Sequence, residues 1–306
     1  MNISKKAIMT FIVALTSVIS MAQPYYHIMK EENGKLTEET GYNGKDYNIK
    51  ISMEAPKPKD AIGDKITVPC SKRSFWFTNK GNVYYDKSKG RFFFEESQLD
   101  YPKGTLNKNH CGHFVFGGTI RIIVDKDNRF SDYSGKWDDL TEEYFYFNNP
   151  KNLPKLQEDL GNEKWTVLTS CEWEYVCRNF GEMWTIDGKK CYLIDTTSGK
   201  SLLRAIESKN GGKTITKEDV ESYEDKGLVY LPASGDIGPY DGNSIRNQGN
   251  EGRYWSCTPT EDRFIQNYWY RNYAGMMIFA NWNSGGISSC IRTERAAVRL
   301  VILAED

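Results

Sequence analysis

The residues best equipped for chemistry fall in a few places. His110, Cys111, Gly112 and His113 put two imidazoles and a thiol within four positions, and these are side chains that ligate zinc or copper. Donors so close in sequence complete a coordination shell poorly. The following Phe114-Val115-Phe116 reads as a strand, where positions three apart face opposite sides. With His27 these are all the histidines, so no general-base system stands out. Asp125, Lys126, Asp127 and Asn128 start like a calcium loop, but its sixth position is Phe130 rather than Gly and its twelfth is Lys136 rather than Glu. A hairpin turn explains them better. Glu172 and Glu174 stand two apart on one expected helix and face different directions, so both are read as helix surface rather than a glycosidase pair. No catalytic residue, metal ligand or cofactor is expected from these groups.

Aromatic side chains carry more weight, with 8 Trp, 19 Tyr and 14 Phe in the chain. They crowd between Tyr254 and Trp282. If residues 268–273 are extended, Trp269, Arg271 and Tyr273 share one face while Tyr268, Tyr270 and Asn272 share the other. Both faces cannot be buried cheaply, so part of this run should be exposed. Asn281, Trp282 and Asn283 set a further ring between two amides. An exposed ring beside an amide suits stacking on a sugar or a hot spot for a protein. Trp269, Arg271, Tyr273, Asn281, Trp282 and Asn283 are therefore the expected binding face. Extra packing in a loop-rich fold remains the alternative.

These side chains must be positioned by short strands and a few helices. Residues 74–77, 82–85 and 91–94 are aromatic β runs separated by turn clusters, which reads as an antiparallel meander. Residues 114–117 and 119–124 continue the β character. Thr169-Ser170-Cys171-Glu172 is a capping box, and Trp173, Val176, Cys177 and Phe180 follow at helical spacing. A second box at Thr216 to Asp219 opens a short helix ending near Tyr223. Residues 227–232 read as a buried strand, 235–252 as a long loop region, and 276–279 and 296–303 as closing strands. The fold class is α+β.

The N-terminus is an address. Lys5 and Lys6 precede an uncharged, largely apolar run over residues 7–19, and Ser20-Met21-Ala22 offers small residues before Gln23. That is the pattern of a secretory signal peptide over residues 1–22; a spanning helix needs about 20 apolar residues. Residues 23–60 are polar, contain Pro56 and Pro58, and are expected to be a leader and linker with one strand over 47–53. Residues 61–306 form the domain, and no transmembrane segment is expected in the mature protein. The expected location is exported: periplasm, cell surface or extracellular. Seven cysteines are compatible with export, and their odd number leaves at least one thiol free or intermolecular. Lys+Arg 40 against Asp+Glu 41 gives a net charge of −1, which argues against nucleic acid as a partner.

Several segments resemble a known family in the right order. These are residues 60–68, 75–85, Leu168 to Trp173, Leu231-Pro232-Ala233-Ser234-Gly235, residues 252–259, and Arg292 followed by Ala297-Val298-Arg299-Leu300-Val301. They are similar to secreted proteins of Bacteroides-type bacteria related to the Fibrobacter major paralogous domain. The resemblance implies a C-type-lectin-like fold, similar to the formylglycine-generating enzyme, and implies no common reaction. That enzyme's copper chemistry needs two cysteines five apart before an Arg-rich end; here only Cys290 precedes Arg292 and Arg295, so an oxidase is the minor alternative. Cys257 stands where the family usually has Ser, and Cys290 is also atypical, which makes a Cys257–Cys290 disulfide the expected pairing. Asn281-Trp282-Asn283 resembles the Trp-Asn-Asp of C-type lectins, without their Glu-Pro-Asn calcium motif. The function implied is a non-enzymatic exported binding protein for a glycan or a surface protein. A structural component of a surface appendage is the runner-up.

Overall fold

A computed structural model of the chain describes residues 26–32, 35–38, 50–53, 57–86, 88–102, 110–114, 153–161, 164–238, 244–259, 273–291 and 294–304. Residues 1–22, expected to be a signal peptide, and the Asp125–Asn128 stretch lie outside the described residues, as do Trp269 and Arg271. The chain divides into two compact units between Lys59 and Asp60.

The first unit holds a three-stranded antiparallel sheet in the order β2-β1-β3. Its strands are β1 (Tyr26–Glu32), β2 (Lys35–Glu38) and β3 (Lys50–Met53). The sequence suggests a polar leader with a single strand over 47–53. The structure keeps the end of that strand as β3 and adds two more before it. Register explains what composition hides: Glu32 lies opposite Lys35, and Tyr26 opposite Met53, a residue 27 positions on.

The second unit is α+β, with four small sheets whose paired strands all run antiparallel. Strands β4 (Ile66–Val68), β5 (Arg73–Trp76), β16 (Leu300–Leu303) and β9 (Trp165–Val167) form a sheet in the order β4-β5-β16-β9. Strand β16 closes the domain by placing Ile302 between Trp76 and Trp165. A second sheet has the order β7-β6-β8, from β6 (Val83–Asp86), β7 (Arg91–Phe94) and β8 (His110–Cys111). The expected meander is thus corrected. All three aromatic runs are strands, but β5 pairs with β4 and β16, while β6 pairs with β7 and β8. The chain leaves the first sheet at Thr78, and Val83 N–H donates instead to Val298 O at 3.1 Å.

Helix α1 (Leu153–Leu160) precedes β9, and α2 (Ser170–Phe180) follows it. The capping box forms: Thr169 accepts from Glu172 N–H, and the Glu172 carboxylate accepts from Thr169 N–H at 2.8 Å. Reciprocal caps of this type stabilise a helix start by about 1 kcal/mol. The buried stripe Trp173, Val176, Cys177 then docks on the main core. Glu174 is exposed, but Glu172 is fully buried and pairs with Arg73 at 3.4 Å. It is a core carboxylate, not helix surface as the spacing argument holds.

Strands β10 (Gly181–Ile186), β11 (Lys189–Asp195) and β12 (Leu228–Pro232) make the third sheet. The β10–β11 hairpin turns on Asp187 and Gly188, with φ of 49° and 75°. Both values are left-handed, as a two-residue hairpin turn requires, and Asp-Gly supplies them at low cost. Helices α3 (Ser201–Asn210) and α4 (Lys217–Glu224) lie between β11 and β12. Fully buried Asp195 anchors the start of α3: its Oδ2 accepts from Leu202 N–H at 2.7 Å and Leu203 N–H at 3.2 Å. The second box, Thr216 with Asp219, caps α4 as expected. The fourth sheet is β13 (Gly252–Pro259), β14 (Tyr273–Ala280) and β15 (Asn283–Ile291). Among the described residues no helix is long and apolar enough to cross a membrane.

The segments that carry the resemblance meet in one core. Leu168, Trp173, Leu231, Tyr254 and Val301 all belong to it and are fully buried. Fully burying one such large apolar side chain is worth roughly 1.5–3 kcal/mol.

Candidate functional site

The β14–β15 hairpin presents the site. Ala280 pairs with Asn283, so Asn281 and Trp282 form a two-residue turn. Register then shifts by one residue between Ile278–Gly286 and Ala280–Asn283, and Gly285 takes φ +111° at the extra position. Asn283 Oδ1 accepts from Gly285 N–H at 3.0 Å and ties the bulge shut. Beneath the tip, the Phe279 ring stacks on Tyr192 at 5.4 Å, and the Tyr192 ring lies where Cβ atoms at Gly285 and Gly181 would fall. Tyr192 OH donates to Cys177 O at 3.2 Å, so the support itself is fixed. The turn therefore stands on a rigid base.

Trp282 is 68% exposed, while every other large apolar side chain among the described residues is at least partly buried. Asn281 is exposed beside it and Asn283 is half-buried. Asn283 spends its carbonyl oxygen on Gly285, which leaves its amide N–H bonds to offer. An indole face flanked by amide groups can cover the C–H face of a pyranose while the amides meet its hydroxyls.

Of the six expected binding residues, three have side chains that the structure describes. Asn281, Trp282 and Asn283 come together at the tip. Tyr273 begins β14, opposite Ile291, and the strand carries it about 24 Å from Ala280 at the usual rise per residue. Its side chain lies outside the described residues, with Trp269 and Arg271. Trp255 is a core residue, as its place in the resembling segments implies, and Phe279 is buried as well.

The cysteine pairing needs correction. Cys70 is joined to Cys171 in the first turn of α2, across 101 positions, with Cα atoms 6.5 Å apart. Cys257 and Cys290 are thiols, on β13 and β15, strands held apart by β14. Cys111, Cys177, Cys191 and Cys257 are buried, and Cys290 alone among the described thiols is partly exposed. Burial pushes the Cys177 and Cys257 thiols up to about 12, which makes them poor nucleophiles.

The histidines turn to different partners. His110 Nε2 meets Glu95 Oε1 at 2.8 Å, and its ring stacks on Tyr84 at 3.7 Å. His113 is fully buried, its Nε2–H donating to Ser234 O at 3.0 Å, and burial pushes its pKa down to about 4. Among the described residues no three His, Cys, Asp or Glu side chains group as metal ligands would.

Sequence reasoning missed a charged network beside β15. Asp236, fully buried, pairs with Arg246, and Glu294 Oε1 accepts from Arg246 Nη2 at 2.6 Å and Arg253 Nη1 at 2.5 Å. Glu251 Oε1 takes Arg253 Nε–H at 2.6 Å, and Cys290 Sγ lies 3.9 Å from Arg253 Nη1. Burial, with Asp236 alongside, pushes Glu294 up to about 7 against the pull of Arg253. Members of this network are spread over 59 positions in a Gly- and Asn-rich stretch, so no local spacing signals it.

Comparison with protein-family models, with curated proteins and with solved structures finds no match to this chain.

Proposed function

We propose that this is an exported, non-enzymatic binding protein with a C-type-lectin-like domain that recognises carbohydrate through the tip of the β14–β15 hairpin. The observation that carries the reading is Trp282, 68% exposed between two asparagines on a rigid turn. Two-residue turns are normally filled by small polar residues. A tryptophan there leaves its apolar surface in water without packing in return, and a ligand supplies that return.

Supporting the fold, the segments that resemble the family pack into one core from distant parts of the chain. Supporting export, a signal-like N-terminus precedes a domain with a disulfide between Cys70 and Cys171. A glycan-array screen of the mature chain and of Trp282→Ala tests the site. Selective binding lost in the variant supports it; an array silent for the unaltered chain overturns it. A second reading, assembly into a surface structure, draws on Cys290, the one partly exposed thiol among the described cysteines. It predicts a covalent partner on non-reducing gels that Cys290→Ser abolishes.

A further inference from the structure

Arg299 lies in the Ala297–Val301 segment with 1% of its surface exposed. Its Nη2 donates to Thr78 O at 3.0 Å and to Gln98 Oε1 at 2.5 Å. Gln98 is locked by its other bonds: Oε1 also accepts from Tyr230 N–H at 3.0 Å, and Nε2 donates to Glu224 Oε1 at 2.8 Å. The Glu224 carboxylate, whose charge the guanidinium feels, thus reaches it only through a neutral amide. Arg299 Nε and Nη1 meet no acceptor among the described residues. Tyr254, beside the guanidinium, is committed elsewhere, donating to Pro232 O at 2.7 Å and receiving Asn82 Nδ2–H at 3.5 Å.

A buried cation without a counter-charge in direct contact is among the costlier things a fold can contain. Burial pushes Arg299 down to about 10, a guanidinium that still carries its charge at neutral pH. Three of its N–H bonds meet no oxygen among the described residues. Asn82 Oδ1 is also buried without a donor, which one water would satisfy, but water brings no charge.

We propose that Arg299 holds a small monovalent inorganic anion, of the halide class, on its Nε–H and Nη1–H bonds beside Tyr254. The anion supplies a charge in direct contact with the guanidinium, just before the closing strand β16. This assignment is independent of the carbohydrate site at Trp282.

Thermal unfolding of the full chain in sodium chloride or bromide, against sodium gluconate at equal ionic strength, tests it. The midpoint is expected to rise and saturate with halide alone. Gln98→Glu, made together with Glu224→Gln so that two carboxylates do not face each other, places a carboxylate on Arg299 Nη2 and should remove the halide response. Bromide anomalous scattering from crystals gives a direct readout that needs no variant. A peak within hydrogen-bonding distance of Arg299 Nε and Nη1 confirms the site. Absence of both the halide response and the peak overturns the proposal and leaves a buried water only. A response that survives intact in the folded double variant also overturns it, by locating the halide elsewhere.

Discussion

Tyr192 of β11 and Phe279 of β14 stack at 5.4 Å with their planes 28° apart. This contact joins two sheets and sets the hairpin that carries Trp282. The Tyr192 ring also occupies the space on which Gly181 and Gly285 depend, since a Cβ at either would lie 2.2 Å from it. The exposed turn is thus held from below by the core, and its position follows from packing rather than from its own sequence.

Gly285→Ala should be costly for two separable reasons. Its φ is +111°, and its Cβ would meet the Tyr192 ring. Gly188→Ala shares the left-handed backbone, at φ +75°, but meets nothing within 4 Å. Backbone strain alone costs roughly 1–2 kcal/mol, and overpacking adds about 1–3 kcal/mol. Denaturant unfolding should therefore rank Gly285→Ala well below Gly188→Ala; equal losses would show that Tyr192 does not constrain the tip.

The disulfide assignment makes a chemical prediction. Non-reducing peptide mapping should recover Cys70 linked to Cys171, with Cys257 and Cys290 both alkylated after unfolding. Closing a loop of 101 residues is worth at most about 4–5 kcal/mol. Cys70→Ser with Cys171→Ser should lower the denaturation midpoint accordingly, and a Cys257–Cys290 peptide would refute the topology.

Stability should depend on pH through Glu294. Its folded pKa of about 7 exceeds the ordinary carboxylate value of 4.5, because burial and Asp236 outweigh Arg253. The folded state therefore binds this proton more tightly than the unfolded chain. Its contribution is complete below pH 4.5 and is lost as pH rises through 7. His113 works oppositely: its pKa falls from 6.5 to about 4, so its contribution is present above 6.5 and lost on acidification. Between pH 6.5 and 7.5 the Glu294 trend should outweigh that of His113, with stability declining as pH rises, and above that window the buried thiols, raised from 9, add to the decline. Glu294→Gln should flatten that decline; a wild-type profile that rises across this window would contradict the assignment.

Local chemistry made much of the fold legible. Both capping boxes, the buried strand β12 and the aromatic strands β5 to β7 declare themselves through neighbouring residues. Trp282 between two asparagines was equally visible, because a turn tryptophan is anomalous on its face. What failed depends on distance along the chain. Strand β5 looks like the first member of a meander until β16, more than 200 residues on, takes its place beside it. Glu172 looks like surface until Arg73 arrives from another strand. Cys70 and Cys171 carry no spacing signal, and the Asp236 to Glu294 network has none either. The β10–β11 hairpin is a different case, since Asp187-Gly188 between strands is itself a strong local hairpin signal.

The central claim is carbohydrate recognition at Trp282, and the most direct measurement is affinity for the best array ligand in wild type, Trp282→Phe and Trp282→Ala. Trp282 packs against little, so both variants should keep wild-type circular dichroism and melting. A stacked indole predicts at least a roughly tenfold weaker dissociation constant in Trp282→Ala, equivalent to about 1.4 kcal/mol, with Trp282→Phe in between. Binding that is unchanged in folded Trp282→Ala would contradict the account.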